Sequence, residues 1–191
     1  MNGTKRNQFT WVRMAMLLGM LTLTGAGAAY AQTGPQAVAK MTISGMQGDN
    51  ADGTIEVVGI EQQVTAAVSA SGVAGGRATM ALLVTKKIDR ATPGLFLAVA
   101  QGRPVPVIRI TWTRIDPTTN REEFSHSITL HQVMITQVSQ RPADRQNPES
   151  RQMDEYEDIR ISARIVEWDY ALPGGQAIVR VGWDFVNGVA R

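Results

Sequence analysis

Cysteine is absent from the 191 residues of this chain. Without a thiol there is no disulfide, no thiolate nucleophile and no cysteine-ligated zinc or iron–sulfur site. Histidine is almost as scarce, since His126 and His131 are the only two. Few side chains are therefore suited to metal binding or to proton transfer near neutral pH. The sequence predicts no metal, no cofactor and a fold stabilised by its apolar core.

A strong charge of one sign is also missing. The chain carries 19 Lys and Arg against 17 Asp and Glu, a formal charge of +2, and its pI is near 9.2. The excess of base comes from residues 1–31, which contain Lys5, Arg6 and Arg13 and no acid. The remainder is close to neutral, so composition favours no nucleic-acid partner.

No apolar run reaches the ~20 residues of a membrane-spanning helix. The longest lies at 14–23, after the three basic residues, and small residues follow it up to Ala29-Tyr30-Ala31. This order is typical of a secretory signal peptide with an A-x-A cleavage site. We predict cleavage between Ala31 and Gln32 and no stable membrane insertion afterwards.

The predicted organisation is a signal peptide at 1–31 and one domain at 32–191, which is long enough for a single core. The general secretory route then predicts a periplasmic or secreted protein. Two alternatives stay open: an uncleaved anchor, or translation from a later methionine. Only a start near Met41 would remove the signal.

Apolar and polar residues alternate through most of the domain, which predicts antiparallel strands with one buried face. The predicted strands lie at 41–46, 55–69, 78–85, 107–113, 123–138, 159–165 and 177–185. The apolar parity of the fifth changes near His131, which predicts a bulge or bend there. Turn-forming residues separate the runs, as at 48–53, 116–120 and 173–175.

One helix is predicted between the early and late strands. Thr92 is its expected N-cap and Pro93 follows it, while Gly102 and Pro104 end the helix. Its expected apolar face is Leu95, Phe96 and Val99. The fold class is mainly β: an antiparallel β-barrel of about eight strands with one helix packed outside, because closure removes exposed strand edges.

Residues suited to catalysis are not arranged in a known pattern. Neither G-x-S-x-G nor H-E-x-x-H occurs. His126 is predicted to share a strand face with Phe124, Ile128 and Leu130, and the neighbouring Ser125 and Ser127 are expected to point away from it. His131 falls on the opposite face of the strand, so we do not expect the two histidines to bind one metal ion. The 48–53 segment fails the calcium-loop spacing, and 72–76 lacks the Lys-Ser/Thr of a phosphate loop. The acidic residues at 154–158 are expected to lie in a solvated connection.

A segment around the predicted helix resembles the Hcp family, the tube proteins of type VI secretion. It carries the pattern T-K-x-I-D-x-x-[ST]-P-x-L at Thr85, Lys86, Ile88, Asp89, Thr92, Pro93 and Leu95. The strands at 107–113 and 123–138 and the carboxy-terminal Gly182-Trp183-Asp184 also match. The resemblance extends from about 41 to 189.

This resemblance implies a non-enzymatic subunit of a six-membered ring whose stacked copies form a secreted tube. The implied partners are copies of this chain, with effectors or spike proteins as possible cargo. A closed ring needs a head-to-tail contact between two different patches. An exported hydrolase on a similar barrel is a less favoured third class.

The resemblance also suggests where such contacts lie. For the subunit interface it indicates the glycine-rich segment with Ser71, Gly72, Gly75, Gly76 and Arg77, and the strand residues Arg109 and Arg164. Four arginines, Arg109, Arg160, Arg164 and Arg180, are expected to pair with acids such as Asp154, Glu155, Glu157 and Asp158. Glu61 aligns where the family faces its lumen and cargo. Ordinary solvation is the alternative for each charge, and a flexible excursion for the loop.

The predicted signal peptide departs from the family, whose tube subunits assemble in the cytoplasm without one. Two functions follow. The first is a tube subunit or secreted component of type VI secretion that carries or chaperones effectors. The alternative is an exported Hcp-like ring or binding module in the periplasm or at the cell surface, independent of a contractile apparatus.

Overall fold

Eight antiparallel strands and one helix make up the part of the chain that the computed structural model describes, residues 38–66, 77–141, 155–172 and 177–191. All of these residues belong to one compact unit. The elements are β1 Ala39–Ile43, β2 Ile55–Thr65, β3 Thr79–Lys87, α1 Thr92–Gln101, β4 Val105–Ile115, β5 Glu122–Arg141, β6 Tyr156–Ala171, β7 Ile178–Asp184 and β8 Val189–Ala190.

The strands form a single sheet in the order β3-β2-β1-β4-β5-β6-β7-β8, and β3 also pairs with β6. One edge of β6 pairs with β5 along its length, while the other edge pairs first with β3 and then with β7. The pairing of β3 with β6 closes the sheet on itself. The predicted class, a closed antiparallel sheet with one helix, is confirmed.

Alternation places the apolar core inside the closed sheet. In β1 the burial pattern is strictly alternating, with Met41 and Ile43 buried and Lys40 and Thr42 exposed. Ile108 and Ile110 of β4 lie directly opposite Ile43 and Met41 and are fully buried. Each such aliphatic side chain contributes roughly 1.5 to 3 kcal/mol by leaving water.

The helix lies against β5. It begins at Thr92, one residue earlier than predicted. Ala91 is the N-cap and makes no side-chain cap hydrogen bond, so the capping role predicted for Thr92 is wrong. The end is as predicted, because Gly102 takes the left-handed conformation (φ 59°) that glycine adopts without strain. The buried positions are Thr92, Leu95 and Ala98, and the predicted core residue Phe96 is instead 41% exposed.

The strand β5 is irregular at several points, and two of them bear on the sequence predictions. Gln132 has a positive φ of 51°, which confirms the bend predicted near His131. The register with β4 shifts between Trp112 and Thr113, so Trp112 lies opposite His126 whereas Thr113 lies opposite Phe124. Neighbouring residues face opposite sides of a strand. Phe124 and His126 are therefore on different faces, contrary to the sequence prediction.

The 48–53 segment is a turn, as predicted. Its ends meet through the hydrogen bond from the Gly48 amide to the Gly53 carbonyl (2.9 Å). A Cβ at Gly48 would lie 2.3 Å from the Thr54 carbonyl oxygen, so only glycine fits.

Several predictions fall outside the described residues. The signal peptide with its Ala31–Gln32 cleavage site, the loop residues Ser71, Gly72, Gly75 and Gly76, and the turn at 173–175 are among them. Within the described ranges, no helix is both long and apolar enough to span a membrane.

Candidate functional site

Four residues from β3, α1, the turn between them and β6 form a cluster of charged and polar groups inside the protein, here called the buried ion cluster. They are Lys86, Asp89, Thr92 and Glu157. Lys86 and Glu157 have no exposed surface, and the side chain of Asp89 is 7% exposed. Burying charges in this way is costly unless they are paired and hydrogen-bonded.

The Lys86 ammonium group is the centre of this cluster. Its Nζ lies 2.7 Å from Asp89 Oδ1 and 2.8 Å from Glu157 Oε1, and it donates to the Lys87 carbonyl oxygen at 2.7 Å. Three donors on a tetrahedral nitrogen thus have three close acceptors. The pairing holds β3 against β6 at the seam that closes the sheet.

Thr92 connects the helix to the same charges. Its hydroxyl donates to Glu157 Oε1 at 2.9 Å and accepts from the Asp89 amide at 3.1 Å. Asp89 Oδ1 in turn accepts from the Ala91 amide at 2.9 Å. Lys86, Asp89 and Thr92 of the sequence pattern therefore fix the start of α1, and Thr92 acts through the cluster rather than as a cap.

Glu157 was missed by sequence reasoning, which placed 154–158 in a solvated connection. It lies instead in β6, opposite Lys86 of β3, and its alternation with Ile159 and Ile161 is the signal that identifies it as inward-facing. Its second oxygen, Oε2, is buried and makes no hydrogen bond within the part of the chain that the structure describes. The prediction for this residue is wrong because a charged residue can occupy a core position when a counter-ion faces it.

A second ionic group lies on the β4–β5–β6–β7 sheet. Asp169 accepts two hydrogen bonds from Arg180, at 2.5 and 3.1 Å, and Arg109 lies 3.9 Å from the same carboxylate. The hydrogen bonds from Arg180 lower the pKa of Asp169, with a smaller contribution from the charge of Arg109. Arg109 also donates to Ser127 at 3.2 Å and stays 48% exposed.

Arg164 belongs to a third group, around the carboxy-terminal Asp184. Asp184 accepts from the amides of Val186 and Asn187, both at 2.9 Å, and these bonds lower its pKa, the Asn187 amide most of all. Arg164 lies 3.5 Å from the same carboxylate and donates to Gln132 at 3.2 Å. Among the described residues of one subunit, Arg109 thus pairs with Asp169 and Arg164 with Asp184, whereas Asp158 pairs with Arg141.

The remaining predicted contact residues lie on the surface. Arg77 is exposed just before β3, and Glu61 is exposed on β2 opposite Leu83. Glu61 and Arg160 line one shallow groove of about 270 Å³ on the outside of β2, β3 and β6. The structure does not bring Arg77, Arg109 and Arg164 into one cluster within a subunit.

The described residues also form an open groove of about 700 Å³, here called the aromatic groove. It lies where β2, β4, β5 and β6 run beyond β1, at the opposite end of β6 from the buried ion cluster. Its apolar and aromatic lining consists of Val38, Val58, Ile60, Trp112, His126, Ile128, Trp168 and Tyr170.

Trp112 and His126 both line this groove and are stacked, with ring centroids 4.3 Å apart and planes inclined by 11°. Burial lowers the pKa of His126, so the ring is neutral near pH 7. Ser125 Oγ lies 3.1 Å from His126 Nδ1, although Ser125 was expected to point away. The strand bulge accounts for this contact, and no carboxylate joins the pair among the hydrogen bonds of the described residues. The arrangement lacks the third member of a nucleophilic triad.

Comparison with known proteins decides the family. A family model described as "Type VI secretion system effector, Hcp" matches residues 39–170, well over half of the chain. This chain belongs to the Hcp family. The match contains all four residues of the buried ion cluster and ends at Tyr170, before β7 and β8.

Individual Hcp-like relatives are distant. The "Major exported protein" of Pseudomonas aeruginosa is 23% identical over 100 residues, which are 52% of this chain and 58% of that protein. The match thus spans less than two thirds of that relative's length. Hcp1 from Salmonella typhimurium superposes with a TM-score of 0.64 at 21% identity, over 80% of this chain and 97% of the other. A type VI secretion system effector from Yersinia pestis gives 0.59 at 18% identity, over 76% and 98%. These similarities establish the Hcp fold for the chain.

Proposed function

We propose that this protein is a structural, non-enzymatic subunit of type VI secretion. It assembles with copies of itself into a ring, and stacked rings form a tube or a secreted component that carries effectors in its lumen. The match to the Hcp family over 39–170 carries the proposal. The closed sheet supports it, because the pairing of β3 with β6 leaves fewer free strand edges that could pair without control when the subunit is repeated.

The chemistry of the described residues is consistent with a structural role. Their densest set of ionisable groups, the buried ion cluster, has no access to a substrate, since Lys86 and Glu157 are fully buried. Within the described ranges, no group of three or more His, Asp or Glu residues is placed to hold a metal ion. The charged network fixes the fold, and the exposed surfaces are left for contacts between subunits.

Arg109 and Arg164 remain our proposed contact residues on the sheet, together with Arg77 and the loop at 71–76. Arg109 and Arg164 each use part of the guanidinium group within the subunit and remain 48% and 37% exposed. A guanidinium group has five N–H donors, so both keep donors for a neighbour. Glu61, exposed on β2, is the proposed lumen or cargo residue.

The solution mass tests this proposal. The chain from Gln32 to Arg191 is measured by light scattering after size-exclusion chromatography, over a range of concentrations. A mass roughly six times that of the protomer is expected for a closed head-to-tail ring. A monomer at every concentration would contradict ring formation and leave only the fold in common with tube proteins.

The signal-like leader at 1–31 supports a second candidate, an exported ring or binding module that works without a contractile apparatus. Expression of the full chain, followed by fractionation and amino-terminal sequencing, separates the two. A protein that begins at Gln32 in the periplasm favours the exported module. An unprocessed protein in the cytoplasm that appears in the medium only when type VI secretion is active favours the tube subunit.

A further inference from the structure

The helix α1 has an exposed face that is apolar. None of its ten residues is charged. Pro93, Phe96, Leu97 and Ala100 are exposed, and their spacing of i, i+3, i+4 and i+7 places them along one side of the helix. Phe96 is 41% and Leu97 55% exposed. A helix that is apolar on every side is normally buried, so we expect this face, here called the helix stripe, to be covered by a partner.

The helix stripe and the aromatic groove lie at opposite ends of the closed sheet. The helix packs beside the end of β1, since a Cβ added at Gly94 would lie 3.3 Å from the sulfur of Met46, and Met46 forms a β-bridge with Ile43. The groove includes Val38, directly before the start of β1. The strand β1 therefore runs from the groove to the helix, and one subunit has a convex apolar surface at one end and a concave one at the other.

The groove suits the helix stripe in size and in charge. Its volume of about 700 Å³ falls among those of pockets that enclose apolar ligands, about 300 to 1,000 Å³. Of the described residues that line it, Asp169 is the one that is charged near neutral pH, and its carboxylate is bonded to Arg180. Neither surface therefore has to bury an unpaired charge when the two meet.

We propose that the helix stripe of one copy of this chain binds in the aromatic groove of the next copy, with Phe96 and Leu97 as the anchoring side chains. Helices bind to apolar grooves through residues spaced as in the stripe. The inference rests on the proposed assembly of copies and specifies which surfaces meet. A contact between opposite ends of a subunit is head-to-tail and repeats along one direction, so it joins successive rings rather than neighbours within a ring.

Disulfide capture between two different variants tests this contact without background, because the chain contains no cysteine. The full chain carrying Leu97→Cys is mixed with the full chain carrying Gln62→Cys, a groove position, and oxidised mildly. Mixed dimers are identified by non-reducing electrophoresis and peptide mass spectrometry. The matched control replaces the second partner by Ala190→Cys, at an exposed position of β8. We expect mixed dimers to form at least tenfold faster with Gln62→Cys than with the control.

A second variant tests the anchoring role of Phe96. Phe96→Asp, added to the Leu97→Cys chain, places a charge in the groove and should slow capture by Gln62→Cys at least tenfold. By light scattering, Phe96→Asp alone should keep the mass of a single ring while larger assemblies disappear.

Equal capture rates for Gln62→Cys and Ala190→Cys would overturn the proposal, as would a capture rate that Phe96→Asp leaves unchanged. Rings of six protomers without the crosslink would contradict this contact and leave ring formation intact. Rapid capture in a protein that forms no rings would support the contact and contradict the ring, so the two proposals fail separately.

Discussion

The two ends of β6 differ in which side chains they bury. Near its start, Glu157 is sealed inside the protein with Lys86, Asp89 and Thr92, and each charge has a close partner. Near its end, Trp168 and Tyr170 line an open groove, and Tyr170 is 48% exposed. Charged groups are thus buried at one end and aromatic groups exposed at the other, the reverse of the usual preference.

The difference shows where the fold is complete within one chain. At the ion-cluster end, β3 pairs with β6 and closes the sheet, so water is excluded and the charges must satisfy one another. At the groove end, β2, β4, β5 and β6 extend beyond the described part of β1, and the apolar side chains between them are only partly covered. The first end is a finished core, whereas the second leaves apolar and aromatic side chains exposed in an open groove.

The largest expected effect comes from breaking the finished end. Lys86→Met leaves Glu157 and Asp89 buried without their counter-ion, and the expected loss is about 3 to 5 kcal/mol of unfolding free energy. Denaturant-induced unfolding measures it. Lys87→Met is the matched control, because Lys87 makes a longer surface pair with Glu56 (3.6 Å) that is worth about 0 to 1 kcal/mol. Equal midpoints for the two variants would mean that the buried pairing does not stabilise the seam.

The groove end should be less sensitive. Trp112→Ala removes the ring stacked on His126, but Trp112 is only partly buried, so about 1 to 3 kcal/mol is expected, below the cost for a fully buried tryptophan. Thermal or denaturant unfolding checks this. Tyr170→Ala, at a more exposed position of the same groove, should cost less. If Tyr170→Ala lowers the unfolding free energy more than Trp112→Ala does, Tyr170 is more deeply buried in solution than it is in the single subunit.

A still smaller effect is expected from His126. Burial lowers its pKa below the usual 6.5 in the folded protein, so the unfolded chain takes up the proton first. Unfolding free energy should therefore fall by about 1 kcal/mol or less as the pH drops through 6.5, and recover above it. His126→Phe should remove most of this pH dependence between about pH 5.5 and 7.5. A pH dependence that persists without His126 would assign it to another group.

The smallest expected change in stability is at the proposed subunit contact. Arg109→Gln loses a partly exposed ion pair and should cost under about 1 kcal/mol, yet it should lower the fraction of assembled protein in sedimentation velocity runs. Arg121→Gln, in the exposed turn before β5, is the control. Identical sedimentation of the two variants would remove Arg109 from the interface.

Much of the fold could be predicted because alternation is a local property. The seven predicted strands correspond to β1 through β7, with boundaries displaced by a few residues, and α1 lies where Pro93 and Gly102 indicated. The two-residue β8 carries too short a pattern to be recognised. Phe96 and Thr92 were misassigned, because which face of a short helix is buried depends on the strand it contacts.

The sequence alone determined the family, the antiparallel strands and the positions of turns, since these follow from nearest-neighbour patterning and from the motif at 85–95. Tertiary structure alone decided the site. Glu157 becomes a partner of Lys86 only because β3 meets β6, 71 positions along the chain, and Trp112 meets His126 only through the shifted register of β4 and β5. Pairings between distant residues depend on how the sheet closes, and no local pattern encodes that closure.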